Sequence, residues 1–191
     1  MPWLIVALGY LLGSIPTAYI AGHLLKGKDI RQMGDGNVGA QNAFRQLGYK
    51  TGVCVFFIDA TKGALPILVA RAASLSLPVI MLVGIATVIG HNWPFYLGFR
   101  GGRGESTSIG ILFTLVTGPM LILAGPALAV LVFKKNVILA SAFLFVPLPL
   151  LCWWLGLPGL QVTYSMVLPA LVGFTHLLRT RGVSPAGTSS A

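Results

Sequence analysis

The chain has 191 residues, of which 55% are hydrophobic and 9% charged, and its mean hydropathy is +0.85. A soluble domain carries about a quarter of its residues as Asp, Glu, Lys or Arg, so this composition excludes one. The net charge of +9 suggests either nucleic-acid binding or the basic cytoplasmic loops of a membrane protein. The apolar content excludes a disordered chain, and two cysteines are too few for a disulfide framework.

Several apolar stretches are long enough to cross a bilayer, which takes about 20 residues for about 30 Å of hydrocarbon. The predicted single spans cover residues 3–25, 53–73, 77–97, 137–155 and 163–178. Stretch 106–133 is too long for one straight span and is interrupted at Thr117-Gly118-Pro119, which favours a hairpin of two short spans. We therefore predict an all-α membrane protein with seven transmembrane helices. Residues 1–181 form one domain, followed by a disordered tail over 182–191.

Basic residues predict the orientation of these spans, because cytoplasmic loops are enriched in Lys and Arg. Alternate loops on one side contain Lys26, Lys28, Arg31, Arg45, Lys50, Arg100, Arg103, Lys134, Lys135, Arg179 and Arg181. The opposite side receives Arg71 alone. The N-terminus is therefore predicted to be external and the C-terminus cytoplasmic. A nucleic-acid surface is not favoured, because these residues are scattered over short loops without a continuous basic helix or an RNA-binding motif.

A first glycine-rich loop follows the first span and reads Gly34-Asp35-Gly36-Asn37-Val38-Gly39-Ala40-Gln41-Asn42-Ala43-Phe44-Arg45. Its glycines permit positive φ angles, so successive N–H groups can point into one concavity and hold an oxyanion. Arg45 would add a forked cation suited to phosphate. The alternative interpretation is a tight turn that leads into the second span.

A second glycine-rich loop, with Gly101, Gly102 and Gly104 around Arg103, leads directly into an apolar helix. It would bring a cation to a helix N-terminus, where free N–H groups and the helix dipole favour phosphate. The Walker spacing is absent, so nucleotide hydrolysis is not indicated. The aromatic residues before this loop are equally typical of an interfacial belt.

Within the second span, Asp59 and Lys62 lie on one helix face at i, i+3 and can neutralise each other. A charge at the bilayer centre costs about 2.5 to 3.5 kcal/mol, so the pair is expected to face inward. Both a functional site and a structural clamp between helices fit this pair. The three histidines are scattered without Cys, Asp or Glu at ligand spacing, so neither a metal nor another cofactor is predicted.

Four motifs resemble one known family. They are Gly13-Ser14-Ile15-Pro16-Thr17-Ala18-Tyr19, the loop 34–45, Asp59-x-x-Lys62-Gly63, and the stretch 90–104, which reads GHNWPFYLGFRGGRG. In order and spacing they are similar to the bacterial acyl-phosphate:glycerol-3-phosphate acyltransferases of the PlsY type. The resemblance covers nearly the whole chain, to about Arg181.

The resemblance implies a multi-pass enzyme of the bacterial inner membrane, surrounded by lipid. It would move a fatty acyl group from acyl phosphate to the 1-hydroxyl of glycerol 3-phosphate, giving lysophosphatidic acid, without a metal or acyl-CoA. His176, Arg45 and Asp35 would be catalytic. Substrate phosphate would contact Arg45, Gly36, Asn37, Gly39, Asn42, Gly101, Gly102, Arg103, Gly104 and Arg179.

The chain also departs from the family pattern. It carries Asp35 where the family usually has Ser, Gln41 for Thr, Arg100 and Arg103 for Lys, Arg179 for Asn, and Glu105 after the second glycine-rich loop. Asp35 would repel a phosphate oxyanion unless Arg179 or Arg45 pairs with it. The competing hypothesis is a non-catalytic transport or binding protein for a phosphorylated metabolite or lipid on the same scaffold. No internal repeat supports a transporter.

Overall fold

The computed structural model describes residues 2–181, with side chains described as far as Arg179. The predicted tail from Gly182 lies outside the described residues. Over the described range the backbone forms ten α-helices and two short 3-10 turns, at Ile30–Gln32 and Phe95–Leu97. The helices are α1 Pro2–Gly13, α2 Thr17–Lys26, α3 Ala40–Leu47, α4 Tyr49–Ala72, α5 Leu77–Asn92, α6 Glu105–Leu115, α7 Thr117–Lys134, α8 Val137–Phe145, α9 Leu148–Trp154 and α10 Gly159–Arg181.

Six stretches of the described chain are long and apolar enough to cross a membrane. Two of them consist of a pair of helices. The first is interrupted between α1 and α2 just before Pro16, and another between α8 and α9 at Pro147. Proline lacks the N–H that continues a helix, so a break at each position is expected. The prediction of an all-α membrane protein agrees with this architecture.

The stretch 106–133 divides into α6 and α7, as predicted, but the break lies at Val116 rather than at Thr117–Pro119. Thr117 and Pro119 instead belong to the first turn of α7, where a proline is tolerated because the first N–H groups have no helical partner. With 11 residues, α6 is only about 16 Å long and is not among the six candidate spans. It packs against α4, whereas α7 packs mainly against α8.

Small residues allow the helices around the core to approach closely. A Cβ added at Gly13 would overlap the backbone of Thr87, which joins α1 to α5. Added Cβ atoms at Gly63 and Gly110 would overlap backbone atoms across the α4–α6 contact. Without a hydrophobic force between helices in lipid, such close van der Waals packing is what holds spans together. Large apolar side chains such as Phe133 cover the exterior instead.

Candidate active site

The loop after α2 is organised by an ion pair. Asp29 begins the first 3-10 turn, with its Oδ1 accepting the N–H of Arg31 at 2.9 Å, and its Oδ2 lies 2.6 Å from Arg31 Nη2. The guanidinium of Arg31 holds the pKa of the Asp29 carboxyl below its usual value, and the carboxylate raises the pKa of Arg31 in return. Arg31 Nη1 also donates to the Leu97 carbonyl oxygen at 3.2 Å. Arg31 therefore ties this loop to the segment before the second glycine-rich loop.

Asn42 of α3 holds the first glycine-rich loop in shape. Its buried Nδ2 donates to the carbonyl oxygens of Met33 at 2.9 Å and Asn37 at 3.0 Å. Gly34 and Gly36 have φ angles of +58° and +70°, which residues with a Cβ rarely adopt. The loop thereby curves around the Asn42 amide, which lies inside it. In this geometry Asn42 positions the loop.

The second glycine-rich loop closes on the end of α5. The N–H groups of Gly101 and Gly102 donate to the carbonyl oxygens of Asn92 and His91 at 3.2 and 3.0 Å. A Cβ at Gly101 would overlap the His91 carbonyl oxygen, and one at Gly102 would overlap His91 Nε2. Gly104 has a φ of +83° immediately before α6. Glycine is thus required here both for close approach to α5 and for the backbone turn.

Arg179 of α10 holds this loop from the other side. Its Nη1 and Nη2 donate to the carbonyl oxygens of Gly101 and Asn92 respectively. Asn92 Nδ2 in turn donates to Thr175 Oγ1, one turn earlier on α10, at 2.9 Å. A guanidinium has five N–H donors, so these two contacts leave others for a ligand.

An open cavity of about 570 Å³ lies between the two loops. Its described lining consists of Asp29, Arg31, Gln32, Asp35, Gly36, Asn37, Phe99, Arg100, Arg103 and Arg179. Across the cavity, Arg103 Nη2 lies 3.1 Å from Asp35 Oδ2. Asp35 was expected to need a partner at Arg179 or Arg45, but the structure pairs it with Arg103 instead. The four arginines make the cavity suited to an anionic ligand.

The structure brings only part of the predicted phosphate-binding set to this cavity. Asp35, Gly36, Asn37, Arg103 and Arg179 line it. Six other predicted members are absent from its described lining. They are Gly39, Asn42, Arg45, Gly101, Gly102 and Gly104. Arg45 has an exposed side chain on α3. His176 is half-buried on α10, one turn before Arg179.

Sequence reasoning missed two parts of the site. Arg31 was counted only as a topology charge, although its position two residues after Asp29 is a recognisable local pair. His91 and Asn92 were given no role of their own, yet their carbonyl groups anchor the second glycine-rich loop. No sequence signal distinguishes a backbone anchor of this kind, because any residue supplies a carbonyl group.

Glu105, the unexpected acid beside the second loop, is directed away from the cavity. Its Oε1 accepts a hydrogen bond from Ser141 Oγ of α8, and it is not part of the described cavity lining. This hydrogen bond joins the first position of α6 to α8. The carboxylate therefore stabilises the start of α6.

Outside the cavity lining, the structure places Asp59 and Lys62 in a buried ion pair of 2.7 Å. Lys62 Nζ also donates to the Ile15 carbonyl oxygen at 2.7 Å, at the break between α1 and α2. His91 Nδ1 lies 4.0 Å from Asp59 Oδ1. The pair thus joins α4 to the interruption of the first span and lies next to the end of α5.

Comparison with known proteins decides the family. A family model described as glycerol-3-phosphate acyltransferase matches residues 3–182. The chain belongs to this family. It is 54% identical to "Glycerol-3-phosphate acyltransferase 4" of Dehalococcoides mccartyi, over 95% of this chain and 98% of that protein. It is 40% identical to a glycerol-3-phosphate acyltransferase of Shouchella clausii, over 97% and 93% of the two chains.

Solved structures agree with this membership. The crystal structure of PlsY, an integral membrane glycerol 3-phosphate acyltransferase, in its glycerol 3-phosphate form superposes with a TM-score of 0.84 and 35% identity. The match covers 98% of this chain and 96% of that one. The lysophosphatidic acid form of PlsY gives a TM-score of 0.79 at 33% identity. The fold of the family is therefore shared over nearly the full length.

Proposed function

We propose that the chain transfers a fatty acyl group from acyl phosphate to the 1-hydroxyl of glycerol 3-phosphate, forming lysophosphatidic acid for phospholipid synthesis. The observation that carries this proposal is the arginine-lined cavity between two glycine-rich loops, in a chain whose relatives bear this enzyme name. PlsY has been crystallised in a glycerol 3-phosphate form and in a lysophosphatidic acid form, which correspond to the acceptor and product proposed here.

The cavity supports a mechanism based on positioning. Arg103 and Arg179 hold the substrate phosphates, so that the acceptor hydroxyl lies against the acyl carbonyl carbon. Holding two reactants in this way supplies much of the rate acceleration. The hydroxyl oxygen bonds to the carbonyl carbon, the bond from that carbon to the phosphate oxygen breaks, and inorganic phosphate leaves. Since the acyl group is already activated, no covalent enzyme nucleophile is required.

The proton of the attacking hydroxyl needs an acceptor. The phosphate of glycerol 3-phosphate and His176 are the two candidates. His176 precedes Arg179 by one helical turn, and Arg179 lines the cavity, which supports a location near the substrates. Asp35, also assigned as catalytic from the family position, lies in the cavity lining itself.

We further propose seven membrane crossings, with the N-terminus outside and the cavity and C-terminus on the cytoplasmic face of the bacterial inner membrane. Contacts at both ends of α6 support this count. Glu105 at its start meets Ser141 in the first third of the apolar stretch Val137–Trp154, whereas the Leu115 carbonyl oxygen at its end accepts from Gln161 Nε2 near the start of α10, at 3.0 Å. α10 ends at the cavity through Arg179. The chain would therefore reverse between α6 and α7.

The length of α6 bears on how both substrates reach the site. A helix of about 16 Å covers only about half of the hydrocarbon thickness, so a crossing by α6 requires that its N-terminus lie below the membrane surface. The second glycine-rich loop would then be recessed. Such a depth lets a water-soluble phosphate ester enter from the cytoplasm while an acyl chain remains among lipid tails.

The enzyme assignment is tested by incubating the protein, purified into lipid bilayers, with glycerol 3-phosphate and palmitoyl phosphate. We expect lysophosphatidic acid to form, and Arg103→Gln to lower kcat/KM by at least about tenfold, because a hydrogen bond to a charged group contributes about 1.5 to 3 kcal/mol. The control is Arg71→Gln, which removes the same charge from the last turn of α4, outside the described cavity lining, and should keep full activity. Absence of product, beside an active relative, would refute the assignment and favour a binding or transport protein.

Arg45 requires a separate test, since its side chain is exposed on α3 and its assignment to substrate phosphate rests on its position in the family motif. We expect Arg45→Ala to abolish product formation in the same assay, because the family motif assigns its forked guanidinium to substrate phosphate. Lys50→Ala, an exposed basic residue shortly after it in the chain, serves as the control. Equal activity of both variants would remove Arg45 from the site.

A further inference from the structure

The cavity wall contains a carboxylate that pairs with one of the cavity arginines. Asp35 Oδ2 lies 3.1 Å from Arg103 Nη2, while Asp35 Oδ1 accepts the N–H of Asn37 at the same distance of 3.1 Å. The Asp35 side chain is 34% exposed and that of Arg103 is 15% exposed. The partly exposed carboxylate thus faces a largely enclosed guanidinium.

Two of the other cavity arginines are held within their own part of the cavity wall. Arg31 is held by the carboxylate of Asp29, and two N–H groups of Arg179 donate to backbone carbonyl oxygens. Arg103 is bound from the first glycine-rich loop only through Asp35, and its buried Nε has no hydrogen-bond partner in the described structure. A phosphate that approaches Arg103 therefore meets a carboxylate of like charge at the same donor group.

We infer that Asp35 is a built-in competitor for phosphate: it occupies Arg103 in the free protein and is displaced when a phosphorylated ligand binds, so that it sets the phosphate affinity of the site. The inference rests on the proposed function only in assigning Arg103 to substrate phosphate. Asp35 also links the two glycine-rich loops through this pair. Displacement would therefore release the first loop from the second when substrate arrives.

The test measures binding of inorganic phosphate to the purified full-length protein by calorimetry, with no acyl donor present. We expect Asp35→Asn to lower the dissociation constant of phosphate about two- to fivefold, the range of a partly exposed ion pair. Asparagine retains an Oδ1 that can accept the Asn37 N–H, so the loop conformation is kept. Asp35→Ser, which also keeps an oxygen acceptor, provides a second variant in case Asp35→Asn folds poorly.

Two comparisons separate competition at Arg103 from a general effect of charge. Glu105→Gln alters the acid that follows the same loop, which is bonded to Ser141 and lies outside the described cavity lining, and it should change the phosphate affinity less than Asp35→Asn does. In an Arg103→Gln background, Asp35→Asn should no longer tighten phosphate, since the two groups act through one pair. An equal gain from Glu105→Gln, a gain that persists without Arg103, or no phosphate binding by any variant would each overturn the inference. Absence of acyl transfer by the unaltered protein, together with the expected phosphate affinities, would refute the proposed function alone.

Discussion

Gly102→Ala is expected to lower acyl transfer about a hundredfold while the protein still folds. The Cβ of alanine would overlap His91 Nε2, and His91 is buried against the Asp59–Lys62 pair. Because neither side can yield easily, the backbone of the second glycine-rich loop must shift. A displacement of about 1 Å in groups that position a substrate is enough for a hundredfold loss of rate. The measurement is kcat/KM for glycerol 3-phosphate in lipid bilayers.

Gly98→Asn is the matched control in the same loop. Gly98 has a φ of +60°, and an added Cβ there meets no atom within 4 Å. Asparagine tolerates this left-handed conformation, so the substitution introduces a side chain without a collision. We expect it to retain most of the activity. If Gly102→Ala and Gly98→Asn were equally active, close approach to His91 would not matter for the reaction. Equal thermal unfolding midpoints would show that the difference is not one of stability.

The helical architecture was accessible from the sequence because each span has to satisfy its own backbone groups in lipid and therefore leaves a long apolar signature. The proline at position 119 led to the prediction of a helix break at Thr117–Pro119, but the break lies at Val116, three residues before the proline. The sequence cannot show such a shift, since the first turn of a helix accepts proline. Nor does hydropathy reveal that α6 is too short for an ordinary span.

The candidate site was accessible in outline, because glycines and basic residues cluster in two loops that had to lie on one side of the membrane. The ion pairs within the site could not be predicted from the sequence. The sequence predicted Arg179 or Arg45 as the partner of Asp35, whereas in the structure Asp35 pairs with Arg103. Which cation meets a given carboxylate depends on how α3, α6 and α10 pack. That packing is set by contacts between distant residues, which no local pattern records.

The buried ion pair outside the cavity lining leads to the largest expected effect on stability. Lys62→Met would leave the Asp59 carboxylate buried without its partner, and breaking a buried pair in this way costs about 3 to 5 kcal/mol. It would also remove the donor to the Ile15 carbonyl oxygen at the break between α1 and α2. We expect the midpoint of thermal unfolding in detergent to fall by about 6 °C or more.

Lys50→Met removes the same charge from an exposed position on the same helix and should unfold near the temperature of the unaltered protein. The double variant Asp59→Asn with Lys62→Met should recover part of the loss, because it leaves no uncompensated charge inside the bundle. This recovery distinguishes electrostatic destabilisation from poor packing of the methionine side chain. A Lys62→Met protein that unfolds together with Lys50→Met would mean that Asp59 is neutralised without Lys62, and that the break in the first span holds without this contact.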